Sequence, residues 1–369
     1  MALASGGEGV DTFAFIIHPL DVRDVARKYP IAAKLPPRLV ERLLCWMPPV
    51  NTAHITGIRS PHNEVEGWFV ACPLTSRQML ALPEDYVLGK IIQAGRLAEK
   101  LGAKIVGLGA MTSVVGDAGI TVAKHLRIPV TTGNSYTVAT AVEGTKEAAR
   151  LMGLELLRCH VAVVGATGSI GAVCARLLAR EAGRLTLIAR SVDKLKRLAH
   201  TILHESGVAA ELSSEPRKVL PSADVVVSVT SAVDTVIEPE DLKPGAVVCD
   251  VARPRDVSRR VAEVRDDVLV IEGGVVAVPG EVDFHFDFGY PPGVALACMA
   301  ETMILALERR WESFTLGRDL TIEQVEEISL LARRHGFRLA GFRSFERPLS
   351  LEAIEAVRER AQARRRSAV

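Results

Sequence analysis

The residues of this chain best suited to chemistry fall in four stretches. The first is Gly165-Ala-Thr167-Gly168-Ser169-Ile170-Gly171, with glycines three apart, set between the apolar run Val161 to Val164 and a helical pattern from Ala172 to Ala179. Strand, tight turn and helix in that order open a dinucleotide-binding unit. Gly165 permits the turn, Gly168 lets a pyrophosphate approach the backbone, and Gly171 lets the helix pack on the strand. The phosphates would meet free N–H groups at the helix N-terminus, where the dipole favours negative charge. The second stretch lies about twenty residues on, where an acid would bind the ribose hydroxyls of NAD. Here the strand ends Leu187-Ile-Ala189-Arg190-Ser191. A guanidinium and a hydroxyl suit a 2′-phosphate instead, so NADPH is the expected cofactor, with Lys194 as a further contact. Thr230, and Gly273-Gly274 after a later strand, complete the expected cofactor-binding set.

The third stretch, Thr131-Thr132-Gly133-Asn134-Ser135-Tyr136-Thr137, stands at the start of a long helical pattern. Its hydroxyls and amide suit capping of that helix or hydrogen bonding to a ligand, and composition does not choose between them. The fourth is Leu296-Ala-Cys298-Met-Ala-Glu301. A Cys298 thiolate near a nicotinamide can form a thioester and present its carbonyl to hydride. A cysteine on such an apolar face is more often packing. His18 ends the first apolar run, where side chains commonly line a cleft, although a core or surface histidine is the commoner meaning.

Elements must hold these residues in place, and the pattern predicts an α/β protein of two domains. Strands are expected at 12 to 18, 52 to 58, 66 to 72 and 104 to 110, then at 161 to 165, 184 to 190, 208 to 212, 223 to 230, 246 to 251 and 268 to 272. Runs such as Val225-Val-Val-Ser-Val predict strands buried on both faces of a doubly wound, Rossmann-type parallel sheet. The expected division is an N-terminal α/β substrate domain over 1–150 and an NADP(H)-binding domain over 151–290. Helices at 291–345 would pack back on the first domain: one is expected over Val294 to Trp311, and another begins at the Thr321/Gln324 capping box. The charged tail, 346–369, is expected to be a frayed helix or disordered.

Composition bounds the function. Apolar residues make up 48% of the 369, and 45 Lys and Arg against 44 Asp and Glu leave a net charge of +1, which excludes a dedicated nucleic-acid binder. The 6 cysteines show neither zinc spacing nor a disulfide framework, so no metal is expected. With neither a signal-peptide pattern nor an apolar run long enough to span a bilayer, a cytoplasmic protein without an integral membrane segment is expected. Nothing in the sequence sets the oligomeric state.

Several stretches resemble the long-chain acyl-acyl-carrier-protein reductases that make fatty aldehydes in cyanobacteria. They are Thr131-Thr-Gly-Asn-Ser-Tyr-Thr, the Val161–Gly171 segment, Gly273-Gly-Val-Val, Ala297-Cys-Met-Ala-Glu-Thr-Met, Phe314-Thr-Leu-Gly-Arg-Asp-Leu-Thr-Ile-Glu and Arg334-His-Gly-Phe. They follow the family's order across most of residues 12 to 337. The resemblance implies that Cys298 attacks the thioester of an acyl carrier protein or coenzyme A and that NADPH then delivers hydride to release an aldehyde. Asn134 and Thr132 are candidates to donate to the oxyanion, and His18 or Glu301 to move protons. Residues 277 to 293 depart from the family pattern. An acidic carrier would want a basic surface, for which Arg253, Arg255, Arg259 and Arg260 are one candidate. The alternative is an alcohol or amino-acid dehydrogenase of shikimate-dehydrogenase-like architecture without covalent catalysis, and a third reading is a nucleotide sensor.

Overall fold

The computed structural model describes residues 10–232 and 235–367, which form two α/β units. Uninterrupted Val, Ile and Ala runs must be covered on both faces, and they become sheet interiors. In chain order the strands of the first unit are β1 (Asp11–Ile17), β2 (Val50–Arg59), β3 (Glu64–Ala71), β4 (Val106–Leu108) and β5 (Val130–Thr131). The second unit has β6 (His160–Val164), β7 (Arg184–Ile188), β8 (Glu211–Ser213), β9 (Val225–Ser228), β10 (Val247–Asp250) and β11 (Leu269–Glu272). Its sheet is parallel throughout, in the order β11-β10-β9-β6-β7-β8. That is the order of a doubly wound dinucleotide fold, whose ligand crevice lies beyond the carboxyl ends of β6 and β9, where the winding reverses.

After β11 come β12 (Val275–Ala277), β13 (Gly280–Asp283), β14 (Val294–Leu296) and β15 (Arg338–Leu339). The chain does not stay in the second unit to residue 290, because β13 pairs antiparallel with β2 and closes the first sheet, ordered β13-β2-β3-β1-β4-β5. The short β12 is flanked by β14 and β15 and so stitches the C-terminal segment to the end of β11.

Two long helices belong to both units. The Asn134–Leu151 helix buries Tyr136 in the first core and Val138, Ala141, Ala148 and Ala149 in the second. The Ile322–His335 helix, capped by the Thr321/Gln324 box, places Ile322 and Val325 in the second core and Ile328 and Ala332 in the first. Between them and the first sheet runs the Ala297–Leu307 helix, in which every residue except Cys298 is buried. This helix starts three residues later than the apolar pattern suggests, because Val294–Leu296 is spent on β14.

The tail departs from expectation. Leu351–Ser367 is a helix whose Ile354 and Ala361 are buried in the second core, with Arg364 on Asp266 and Asp267 at 2.6 Å each. Apolar residues at 354, 357 and 361 recur at helical spacing and give it a face to dock. Among the described residues no helix is long and apolar enough to cross a membrane, and no cluster of metal-ligating side chains occurs.

Candidate active site

The glycine turn sits at the end of β6, and its three glycines meet different surroundings. Gly165 has φ +81°, and a Cβ on it would lie 2.5 Å from the Val229 carbonyl oxygen beyond β9. A Cβ on Gly171 would lie 2.4 Å from Gly165 O, whereas Gly168 is exposed and has room. No side chain caps the Ser169–Ala179 helix, so its first N–H groups face the crevice with Thr167, Ser169 and Ile170 around them. This is a cradle that fits a pyrophosphate. Beyond β7, Ala189 is half-buried and Arg190 and Ser191 are exposed. Among the described residues neither Arg190 nor Lys194 has a hydrogen bond or ion pair from its side chain. Thr230 is fixed beside the turn, donating its N–H and hydroxyl to the buried Asp256 carboxylate at 2.9 and 2.5 Å.

Gly273 and Gly274 connect this crevice to Cys298. Gly273 packs against Val251 and Cys249. Gly274, at φ +77°, accepts from the Ala297 N–H at 2.7 Å and lies against Thr137, Thr140 and Ala297. From the other side Gly133, also left-handed at φ +75°, meets the cysteine backbone; a Cβ there would stand 2.3 Å from Cys298 Cα and 2.5 Å from its Cβ. Cys298 is therefore clamped between the Thr131–Thr137 stretch and the end of β11. Leu296 is the helix N-cap, with extended backbone, so Cys298 occupies the first turn, where the dipole favours a thiolate. Burial pushes its thiol up to about 12, against the pull of the Met299 amide.

Cys298 faces a cavity of about 680 Å³ between the units. Its apolar wall includes Phe15, Phe69, Phe286, Phe288, Leu296 and Met299. Phe284, Phe286, Phe288 and Tyr290 alternate along one segment, and the first three pack on Phe69 with ring centroids 5.7–6.0 Å apart. This aromatic wall falls within residues 277 to 293, and its period of two was the available signal.

His18 is on the same wall. Its Nε2 accepts from the Met111 N–H and its Nδ1 donates to Pro19 O, both at 3.0 Å. Burial lowers its pKa to about 4, so it is neutral with both nitrogens engaged. Glu301 is fully buried and off the wall. Its carboxylate accepts from the hydroxyls of Thr131, Thr315 and Ser135 at 2.5 Å each and from the Tyr136 N–H at 3.0 Å. Thr132 and Asn134 are likewise not cavity-lining residues. Thr132 donates its N–H to Thr315 O and keeps a buried hydroxyl without a partner, while Asn134 donates to Ser169 Oγ at 3.4 Å and joins the helix start to the glycine turn.

Sequence reasoning missed the acid behind the cavity's charged end, where Arg253, Arg255 and Tyr290 line the wall. Glu272 is almost wholly buried and accepts from Arg255 at 2.9 Å and Arg253 at 3.4 Å, with the Tyr290 hydroxyl at 3.3 Å. Burial alone would raise its carboxyl, but the two guanidiniums hold it below the usual range. The proposed basic surface is accordingly divided. Arg253 and Arg255 turn inward to Glu272, whereas Arg259 pairs with Glu346 and Arg260 with Glu238 and Glu240.

Residues 146–271 match the shikimate / quinate 5-dehydrogenase family. The chain is 35% identical over 298 residues to the aminotransferase PigE of a Serratia species, covering 79% of this chain but only 34% of PigE, about a third of its length. It is 30% identical over 305 residues to the long-chain acyl-[acyl-carrier-protein] reductase of Synechococcus elongatus, covering 79% of this chain and 87% of that one. Among solved structures, glutamyl-tRNA reductase from Methanopyrus kandleri matches at 19% identity over 75% of this chain and 55% of that one, with a TM-score of 0.31. The second unit is a Rossmann-type unit for NADP(H), and the protein is an NAD(P)-dependent oxidoreductase. With most of both chains aligned, this protein belongs to the long-chain acyl-[acyl-carrier-protein] reductase family.

Proposed function

We propose that the protein reduces a long-chain acyl thioester, carried on acyl carrier protein or coenzyme A, to the free aldehyde through an acyl-enzyme on Cys298. One observation carries this reading: Cys298 is the one residue of an otherwise buried helix that is only partly buried, and it faces an apolar cavity from the first turn. The acyl chain lies along Phe15, Phe69, Phe286 and Phe288, with its carbonyl at the thiol. The Met299 N–H holds the thiolate, and the first-turn N–H groups then receive the developing oxyanion. Cys298 Sγ bonds to the acyl carbon, the carrier's C–S bond breaks, and the carrier leaves as a thiol with the proton Cys298 gave up. Exchanging one thioester for another is nearly balanced, so the gain is placement.

The glycine cradle would hold NADPH, and the chemistry that group would supply when bound is hydride for the acyl carbon. The tetrahedral adduct on Cys298 then collapses, its C–S bond breaks, and aldehyde leaves with the thiolate regenerated. In this reading Arg190, with Ser191 and Lys194, takes the 2′-phosphate, and Gly273-Gly274 fixes the distance from cradle to thiol. Glu301 is a positioning residue: it holds Thr131, Ser135 and Tyr136, and through them Gly133, against Cys298. Asn134 and Thr132 position the same loop, and neutral His18 holds the turn at Met111.

The test is intact-protein mass spectrometry after mixing with a long-chain acyl thioester without NADPH. A mass increase equal to the acyl group is expected, released as aldehyde when NADPH is added. Cys298→Ala should show no adduct and lose about a thousandfold or more in turnover. Undiminished aldehyde formation by Cys298→Ala would exclude the covalent route.

A further inference from the structure

Residues 22 to 47 form a helical cap with two different faces. Inward, Val25, Leu44 and Met47 line the cavity, while Ala32, Val40 and Leu44 make a small core of their own. Outward, the Pro37–Trp46 helix carries Leu39, Leu43 and Trp46 at spacings of four and three, which puts them on one stripe. Leu39 is 43% exposed, Leu43 49% and Trp46 83%, and Ile31 in the preceding turn is 70% exposed. Large apolar side chains left this open mark an interaction surface. Arg38 and Arg42 fall beside the stripe by helical spacing, and Lys34 precedes it. Among the described residues the side chains of these three cations make no hydrogen bond or ion pair. The helix's acid, Glu41, turns inward, where it accepts from the Thr75 hydroxyl.

We propose that the outer face of this cap docks on an anionic lipid bilayer, lying in its surface and bringing the cavity to the membrane. Leucines and a tryptophan on one arc with arginines beside them are the pattern of a helix that lies in the interface. Tryptophan favours the headgroup level, and long cationic side chains reach the phosphates from beside a buried stripe. The charges argue against a second copy of this chain, because two-fold pairing of the same face would set the unpaired cations against one another. The stripe is one wall of a helix whose other wall lines the cavity, so docking holds the cavity within about 10 Å, one helix diameter, of the bilayer. An apolar ligand then passes between lipid and protein with little exposure to water. The proposal does not depend on the thioester chemistry, since any apolar ligand of the cavity would use the same route.

The test is sedimentation of the full chain with vesicles of phosphatidylcholine, with or without phosphatidylglycerol. Binding is expected only to the phosphatidylglycerol vesicles and should weaken as salt shortens the Debye length. Removing one charge in Arg38→Gln or Arg42→Gln should weaken binding about fivefold, and Leu43→Ser/Trp46→Ser should weaken it at least about tenfold. These side chains lie outside the cavity wall, so melting temperature and turnover of a water-soluble short-chain substrate serve as controls and should not change. Four results would overturn the proposal: no vesicle binding, equal binding to neutral and anionic vesicles, binding indifferent to the Leu43/Trp46 change, or a dimer that the same change dissolves. The first of these includes the case in which this face captures an acidic protein without binding vesicles.

Discussion

A methyl group on Gly165 or Gly171 would lie 2.5 Å or less from a backbone oxygen, whereas one on Gly168 would meet nothing closer than 3.4 Å. The outer two glycines are therefore required by the protein's own packing, whereas the space over Gly168 is open. Gly171→Ala should destabilise the fold by about 1–3 kcal/mol. Gly168→Ala should leave the melting temperature unchanged and weaken NADPH binding at least about tenfold, because its methyl occupies the approach of the pyrophosphate. Thermal melts and a fluorescence titration with NADPH check the pair, and equal effects on both quantities would contradict the division. His18 supplies a pH signature. Its folded pKa of about 4 lies below the ordinary 6.5, so the unfolded chain binds the extra proton between these values. Its contribution to stability is complete above about pH 6.5 and is lost as pH falls toward 4. His160 and His335 are also lowered, so the measurement is comparative: His18→Gln should lose less melting temperature between pH 7 and pH 5 than the parent chain. An equal loss would mean that His18 is not held neutral.

At the level of elements, the Leu351–Ser367 helix illustrates how a charged surface hides a docked face. Ile354 is 2% exposed, and Ile354→Ala should cost about 2–5 kcal/mol by urea denaturation; a change under about 0.5 kcal/mol would mean that the helix is not part of the core. Much of the architecture was legible in the same way. Uninterrupted apolar runs predict the strands of the second sheet except the polar edge strand β8, expected at 208 to 212 and found at Glu211–Ser213; the glycine spacing predicts its turn, and the Thr321/Gln324 box predicts a helix start that the structure reproduces. Connections that depend on long-range pairing were not legible. β13 finds β2 across more than two hundred residues, and no local period announces that. Val294–Leu296 is apolar enough to read as helix but pairs with β12. That three-residue difference moves Cys298 from the second turn of a helix to the first turn, where amides face it. Glu301 was legible as an acid in an apolar run, but its four hydrogen bonds come from the Thr131–Thr137 stretch and from Thr315, two segments that sequence spacing cannot bring together.

For the whole molecule, the cavity lies between units whose sheets are distinct, yet the Asn134–Leu151 and Ile322–His335 helices each bury side chains in both cores. A cleft between domains usually suggests parts that melt separately, as loosely joined domains do. Here neither core can lose its packing while the other keeps a complete set of helices. The expected calorimetric trace is a single transition whose van't Hoff enthalpy equals its calorimetric enthalpy, despite the chain's length; two resolved peaks would show that the shared helices can serve one core alone. The same coupling reaches heredity: a core substitution near the tail helix, far from the thiol, lowers the population of intact sites by the same factor as one beside it. Lesions scattered over either sheet should thus converge on one phenotype, reduced abundance of the folded protein with unaltered chemistry in the molecules that remain.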